Sequence, residues 1–493
     1  MYFLGVDIGG TMTKAALFDN SGKQIAKHAV DTPSLFVHQG WVERDINKLW
    51  SLVCECIKKT VEASGVDSKL IKAVGCTGHG KGLYLWGKDG APAACGIAST
   101  DHRAAEIASR WEADGTTDRA AEKTLQRVRD CQPAALLRWF KEERREAYDN
   151  IKWVFEAKDL IRFLLTDEAF AEYTDYSGSA LLNLKTAQFD RELLELYGIE
   201  EIYDALPPLR RSHDNCGTVT KRAAEITGLC EGTVVCGGMF DIDACAIAAD
   251  VSRPELLCVI TGTWSINEYI SPAPALGSPT TLNSLFCLPE YYLAEESSPT
   301  SVGNLEWLVR EVMGEGKGYF KKADELVETL QPQDSNVIFL PFLYGSNSPS
   351  VENAVFYGLN SSHTRAHLLR ALFEGAVFSH KQHIDRLLAL SDNLTRIRIS
   401  GGMVNSTVWT QMFADAIGLP VDVIKAEEMG AKGAAMAAAV SVGEYSDFNE
   451  AAQSMVRVTQ TILPDPEKHS IYEKKYQKYR SLLTALEAIG QGK

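Results

Sequence analysis

YFLGVDIGGTMTKAALF near the N-terminus and LLCVITGTWSINEYI from residue 256 share one plan: an apolar strand, a turn of glycine and threonine, and a second strand. The copies lie half a chain apart, which predicts two related α/β units rather than one continuous core. Length agrees, since 493 residues exceed what a single core organises. The division expected from this is residues 1–249 and 250–493.

After the first copy comes a third strand-like piece, QIAKHAV. A helix follows over NKLWSLVCECIKKTVEAS, where Leu49, Leu52, Val53, Cys56, Ile57 and Val61 recur at helical spacing, and IKAVGCTG returns as a strand. Residues 102–150 read as helical, with RWFKEERREAYDN a solvated face. TVVCGGMFDIDACAIAAD predicts a strand, a Gly-Gly turn and a helix. The second copy is followed by a long helix around HLLRALFEGAVFSHKQHIDRLL and by strand, turn and helix at TRIRISGGMVNSTVWTQMFADAIG.

A net charge of −15 argues against a nucleic-acid or anionic-membrane partner, which needs a concentrated basic face. The eleven cysteines contain no CxxC pair and read as reduced thiols. No basic n-region precedes the first apolar run, and no segment supplies the ~20 apolar residues of a membrane helix. A soluble cytoplasmic protein with a small-molecule partner is the expectation, and a homodimer is compatible with it.

GCTGHGKG, residues 75–82, is one residue short of a phosphate-binding P-loop. Gly82 stands where a P-loop has Ser or Thr, and LYLWGKDG continues as a strand rather than a helix. A nucleotide's phosphates therefore belong elsewhere. In DIGGTMTK, residues 7–14, Gly9, Gly10 and Thr11 form a turn whose backbone N–H groups can face one anion. Thr11, Thr13 and Lys14 would add hydroxyls and a cation, and Asp7 a carboxylate suited to Mg²⁺. An ordinary hairpin turn fits the same residues. TGTW (261–264) and SGGMVNS (400–406) supply two more such turns, with Asn405 expected at a helix N-cap. GGMFD places Asp241 where a strand stops and a helix starts, the end of α/β strands at which ligands bind.

The order DIGGTMTK, GGMFD, TGTW, LPFLYGSNSP, GLNSSHTRAHLLRALFEGAVF and SGGMVNSTVWTQMFAD resembles the FGGY carbohydrate kinases over nearly the whole chain. GHGKG, SPTSVGNLEW, FLYGSNS and YEKKYQKYRSLLTAL resemble its L-xylulose kinase branch. The resemblance implies two ribonuclease H-like, actin-type ATPase lobes with a nucleotide cleft between them. It also implies ATP and Mg²⁺, and phosphoryl transfer to a ketopentose such as L-xylulose. Erythritol, D-xylulose, gluconate or glycerol is the alternative substrate, and an ATP-binding sensor the alternative class.

On that match Gly9, Gly10, Thr11, Thr13, Lys14, Gly262 and Thr263 hold phosphates, and Gly401, Gly402 and Asn405 lie along the adenosine. Asp7 and Asp241 hold the metal, and Asp241 is the catalytic base. Asp243, about 200° further round the helix, would face away. His79, Gly80, Lys81 and Asp101 would touch sugar, with Trp41 and Glu43 of GWVERD as neighbours. Asp101 and Arg103 also read as helix caps, and Lys81 as a surface lysine. Relatives carry a histidine where Lys81 stands, and the family's first signature has lysine at Leu136. His380 and His383 of HKQH could share a metal at helical spacing, but with no third ligand they are read as a solvated or hydrogen-bonded pair.

Overall fold

Apolar residues run almost unbroken through Tyr2–Ile8 and Ile71–Gly78, the pattern of strands covered on both faces. The computed structural model places them at the centre of a sheet. It describes residues 1–262, 264–278, 280–316, 318–346, 351, 353–425 and 428–490. Two units are present: residues 1–252, 271–293 and 428–456 form the first, and 253–270, 294–427 and 457–493 the second.

In the first unit β1 (Tyr2–Ile8), β2 (Met12–Asp19) and β3 (Gln24–Asp31) are an antiparallel meander. β4 (Ile71–Gly78) lies parallel to β1, and β5 (Asn215–Thr218) and β6 (Val234–Cys236) complete the order β5-β6-β4-β1-β2-β3. Leu4, Val6 and Ile8 alternate toward one face, where they meet Leu49, Val53 and Ile57 of helix Ile46–Ser64 and Leu160, Ile161 and Leu164 of helix Ala157–Thr166. Asp45 caps the former helix by accepting from Lys48 N, and Gly65 ends it in the left-handed conformation.

Helix Met429–Ser441 covers the other face. Its small residues bring backbone against backbone: a Cβ on Gly5 would lie 1.7 Å from Ala431 O, and one on Gly75 2.0 Å from Ala434 O. Gly433 meets helix Asp241–Ala248 in the same way, 2.1 Å from Ala244 O. No larger residue fits at these three glycines without moving a whole element.

In the second unit β7 (Leu256–Thr261) and β8 (Ser265–Ser271) are antiparallel. β7 is parallel to β10 (Arg396–Gly401), within the order β9-β8-β7-β10-β11-β12, where β9 is Tyr292–Ser298, β11 Val421–Ile424 and β12 Val458–Ile462. The first unit arranges β2, β1, β4 and β6 alike, so the repeat read from sequence is a repeat of topology. Trp409 of helix Thr407–Ile417 stacks on Phe373 of helix Arg365–Leu388 at 4.1 Å and donates its ring N–H to the Phe373 carbonyl. Among the described residues no helix is long and apolar enough to cross a membrane.

Candidate active site

The sheet register of the first unit brings several of the candidate residues to one edge. Asp7 lies beside Thr77, and Met239 flanks Thr77 on its other side; one step on, Ile8, Gly78 and Phe240 are aligned. Asp7 and the segment leading into Asp241 therefore end at the same edge, two strand spacings or about 10 Å apart. His79 continues β4 between them, its N–H donating to Ile8 O at 3.1 Å.

The β1–β2 hairpin exposes Gly10 and Thr11 at its tip, and Gly9 N donates to Met12 O. Asp7 opposes Lys14 across the hairpin, and Lys14 Nζ pairs with Glu428 at 3.0 Å. Thr13 corrects the sequence reading: it opposes Ile8, is fully buried, and its hydroxyl bonds Thr32 at 2.9 Å. Strand alternation puts it on the face opposite Lys14, away from an anion at the turn. Burial pushes the Asp7 carboxyl up to about 6; Lys14 opposes the shift and Glu428 adds to it. A Cβ on Gly430 would lie 2.7 Å from Asp7 Oδ2, so the carboxylate abuts the first turn of helix Met429–Ser441.

The GHGKG stretch is a turn followed by strand Tyr84–Gly87, as its sequence predicts, and not a P-loop. His79 is 6% exposed; Nε2 lies 3.0 Å from the Tyr84 hydroxyl, and Nδ1 has no protein partner. Burial and the Arg44 charge depress its pKa to about 3, so the ring is neutral. Gly80 packs on the Phe240 ring, and Lys81 takes a left-handed backbone at φ 63°. Asp101 is fully buried and accepts from Val42 N at 2.6 Å and from the backbone and guanidinium of Arg103. Arg103 also pairs with Glu43 at 2.9 Å and covers the Trp41 ring. Neither Asp101 nor Arg103 caps a helix: Ala104 begins helix Ala105–Ala113 without a side-chain cap. Leu136 is buried in helix Pro133–Glu143.

Asp241 opens its helix and is partly exposed, whereas Asp243 is fully buried. Burial, with the charge of Glu172 adding to it, drives the Asp243 carboxyl well up. Behind Asp241 is a network that sequence reasoning missed. Phe240 N donates to Thr174 Oγ1 at 2.8 Å, and that hydroxyl donates to Glu172 at 2.7 Å. Glu172 also faces Ser212 Oγ at 2.8 Å and Lys158 Nζ at 3.4 Å; Lys158 in turn pairs with Asp159 and Asp175. Lys158, Asp159, Arg162, Glu172 and Asp175 are all fully buried. The available signal was three charges on one short apolar helix, AKDLIRFLLT. A second missed residue is Arg44, whose guanidinium donates to the Gly9 and Gly10 carbonyls.

In the second unit Thr261 joins two of the expected turns. Its hydroxyl donates to Ser400 O at 2.9 Å and accepts from Met403 N at 3.1 Å. Gly401 ends β10 at φ 101°, where a Cβ would strike Thr261 O. Gly262 closes the 261–264 turn by donating to Trp264 O, Gly402 is exposed, and Thr263 lies outside the described residues. Asn405 is exposed at the end of a 3₁₀ turn and is not the N-cap; Ser406 caps the helix by accepting from Trp409 N. His380 and His383 are buried rather than solvated. His380 bonds Asn267, Ser265 and Ser301, and His383 bonds Glu296. Among the described residues no three His, Cys, Asp or Glu side chains are grouped to hold a metal ion.

A family model for the N-terminal domain of FGGY carbohydrate kinases matches residues 2–248, and one for the C-terminal domain matches 257–442. The L-xylulose/3-keto-L-gulonate kinase of Escherichia coli K12 is 37% identical over 489 residues, covering 99% of this chain and 98% of that protein. The crystal structure of xylulose kinase from Rhodospirillum rubrum superposes with a TM-score of 0.90 at 26% identity over the whole of both chains. Gluconate kinase from Lactobacillus acidophilus shares the fold, with a TM-score of 0.89 at 22% identity over 99% of this chain and 98% of that one.

Proposed function

The chain belongs to the FGGY family of carbohydrate kinases, and on that premise we propose that it transfers the γ-phosphoryl group of ATP to a hydroxyl of L-xylulose. The observation that carries the assignment is the alignment of Asp7, His79 and Asp241 at one edge of the first sheet.

Phosphoryl transfer asks a protein for alignment and charge neutralisation more than for strong bases. Asp241 accepts the proton of the attacking hydroxyl, a task its partly exposed place at a helix start allows. Neutral His79 offers Nδ1 to a sugar oxygen while Tyr84 fixes its ring, and Gly80 and Lys81 complete that wall. The amides of Gly10 and Thr11 face the phosphates, and Lys14 adds positive charge held by Glu428. Gly262, Gly401, Gly402 and Asn405 are assigned to the nucleotide by the family pattern.

The Asp7 donor set fits Mg²⁺: a hard carboxylate oxygen whose charge is poorly solvated and gains from a cation. Mg²⁺ supplies neutralisation of the phosphate oxygens when bound. Eleven free cysteines support a reducing, cytoplasmic setting.

A coupled ADP-release assay over L-xylulose, D-xylulose, erythritol, gluconate and glycerol tests the assignment. L-Xylulose should give the highest kcat/KM, and Asp241→Ala should lose about two to four decades in kcat. Slow ADP release indifferent to every acceptor would point to a sensor instead.

A further inference from the structure

Arg44 is 1% exposed, and among the described residues it takes part in no ion pair. Burying a guanidinium is costly unless its donors are engaged. Here they engage backbone: Nη1 donates to Gly9 O at 3.3 Å and Nη2 to Gly10 O at 2.5 Å, while Nε has no partner. In a trans peptide the carbonyl and the next N–H point opposite ways. Fixing the Gly9 and Gly10 carbonyls toward Arg44 thus turns the N–H groups of Gly10 and Thr11 away from it, at the exposed tip of the turn. One side chain sets the direction of two donors.

The other side of the guanidinium meets the sugar loop. The guanidinium charge acts on both Tyr84 and His79, and the Tyr84 hydroxyl lies 3.0 Å from His79 Nε2. Two bonded pairs thus stand side by side in the first unit, His79 with Tyr84 and Arg44 with the Gly9–Gly10 turn, and the His79 N–H donates to Ile8 O at the base of that turn. Lysine could replace this link only in part, because an ammonium lacks the planar fork that reaches two carbonyls at once.

We propose that Arg44 is a positioning residue that couples occupancy of the His79 loop to the geometry of the Gly9–Thr11 turn, so that sugar and nucleotide each tighten the other's binding. This rests on the assignment of those two segments to sugar and phosphate. A sugar oxygen at His79 Nδ1 restrains the ring, Tyr84 and the guanidinium, and the turn donors are then held for the phosphates. Without a sugar the turn is looser, which disfavours transfer to water.

Calorimetry on the full chain with Mg²⁺, the non-hydrolysable analogue AMP-PNP and L-xylulose tests this. In the wild type each ligand should tighten the other by the same factor, about 5- to 100-fold, as linkage requires. Arg44→Met should bring the factor to about 1 while each ligand alone still binds, and Arg44→Lys should keep only part of it. Tyr84→Phe removes the hydroxyl that holds His79 beside the guanidinium, with little change of shape, and should also lower the factor, so it decides between the outcomes if Arg44→Met misfolds. An unchanged factor in Arg44→Met or in Tyr84→Phe overturns the proposal, as does independent binding of both ligands to the wild type. Failure of the wild type to bind any sugar would bring down the site assignment as well, a distinct outcome.

Discussion

A Cβ built on Gly80 would lie 2.5 Å from Cε2 of Phe240, so the His79–Gly82 loop and the residue preceding Asp241 touch through a space only glycine leaves. Gly80→Ala must displace the Phe240 ring, which immediately precedes Asp241. A displacement on the order of 1 Å at the reacting groups costs about 10²-fold in rate. Turnover at saturating ATP and sugar should fall by about one to two decades while the protein stays folded. Wild-type kcat would show that the contact does not transmit to Asp241.

The Asp7 carboxyl, raised to about 6, makes apo stability depend on pH. The folded state holds this proton more tightly than the unfolded chain, so stability contributed by Asp7 is present below pH ~4 and lost as pH rises through ~6. Asp7→Asn removes the charge. Denaturation of the apo protein should find Asp7→Asn more stable than wild type by about 1–2 kcal/mol at pH 7.5, converging near pH 4, even though its activity is lost. A difference independent of pH would refute the buried-carboxylate origin.

Thr174 Oγ1 stands between Phe240 N and Glu172, accepting from the former and donating to the latter. Thr174→Val keeps the shape and leaves a buried N–H unpaired, for a loss of about 1–3 kcal/mol in folding free energy. Thr174→Ser should keep most of the stability and the kcat. Equal stability of the Val and Ser variants, measured by urea unfolding, would remove the hydroxyl from this role.

Most of the fold was legible because apolar residues run almost unbroken through β1 and β4 and recur at helical spacing in Ile46–Ser64, and because the strand–turn–strand unit appears twice. The turns at Gly9, Gly262 and Gly401 were legible from composition. What escaped depends on neighbours distant in sequence. Glu428 reaches Lys14 from the far end of the chain, and no local pattern announces that. Arg44 reads as one more charge in a polar stretch before a helix; only the folded hairpin shows which carbonyls it holds. Thr13 adjoins Lys14 in sequence, yet that one step along the strand turns it to the other face. The choice of Ser406 over Asn405 as N-cap turns on a single residue of 3₁₀ turn, and helix boundaries read from sequence do not resolve that.

The three close approaches at Gly5, Gly75 and Gly433 carry a consequence for biosynthesis. The helix that seats against β1 and β4 begins only at Met429, whereas the strands end at Ile8 and Gly78, so both leave the ribosome with one face bare and stay so for most of translation. A fragment ending near residue 252 would lack that cover altogether and should require a chaperone or a supplied C-terminal piece to stay in solution.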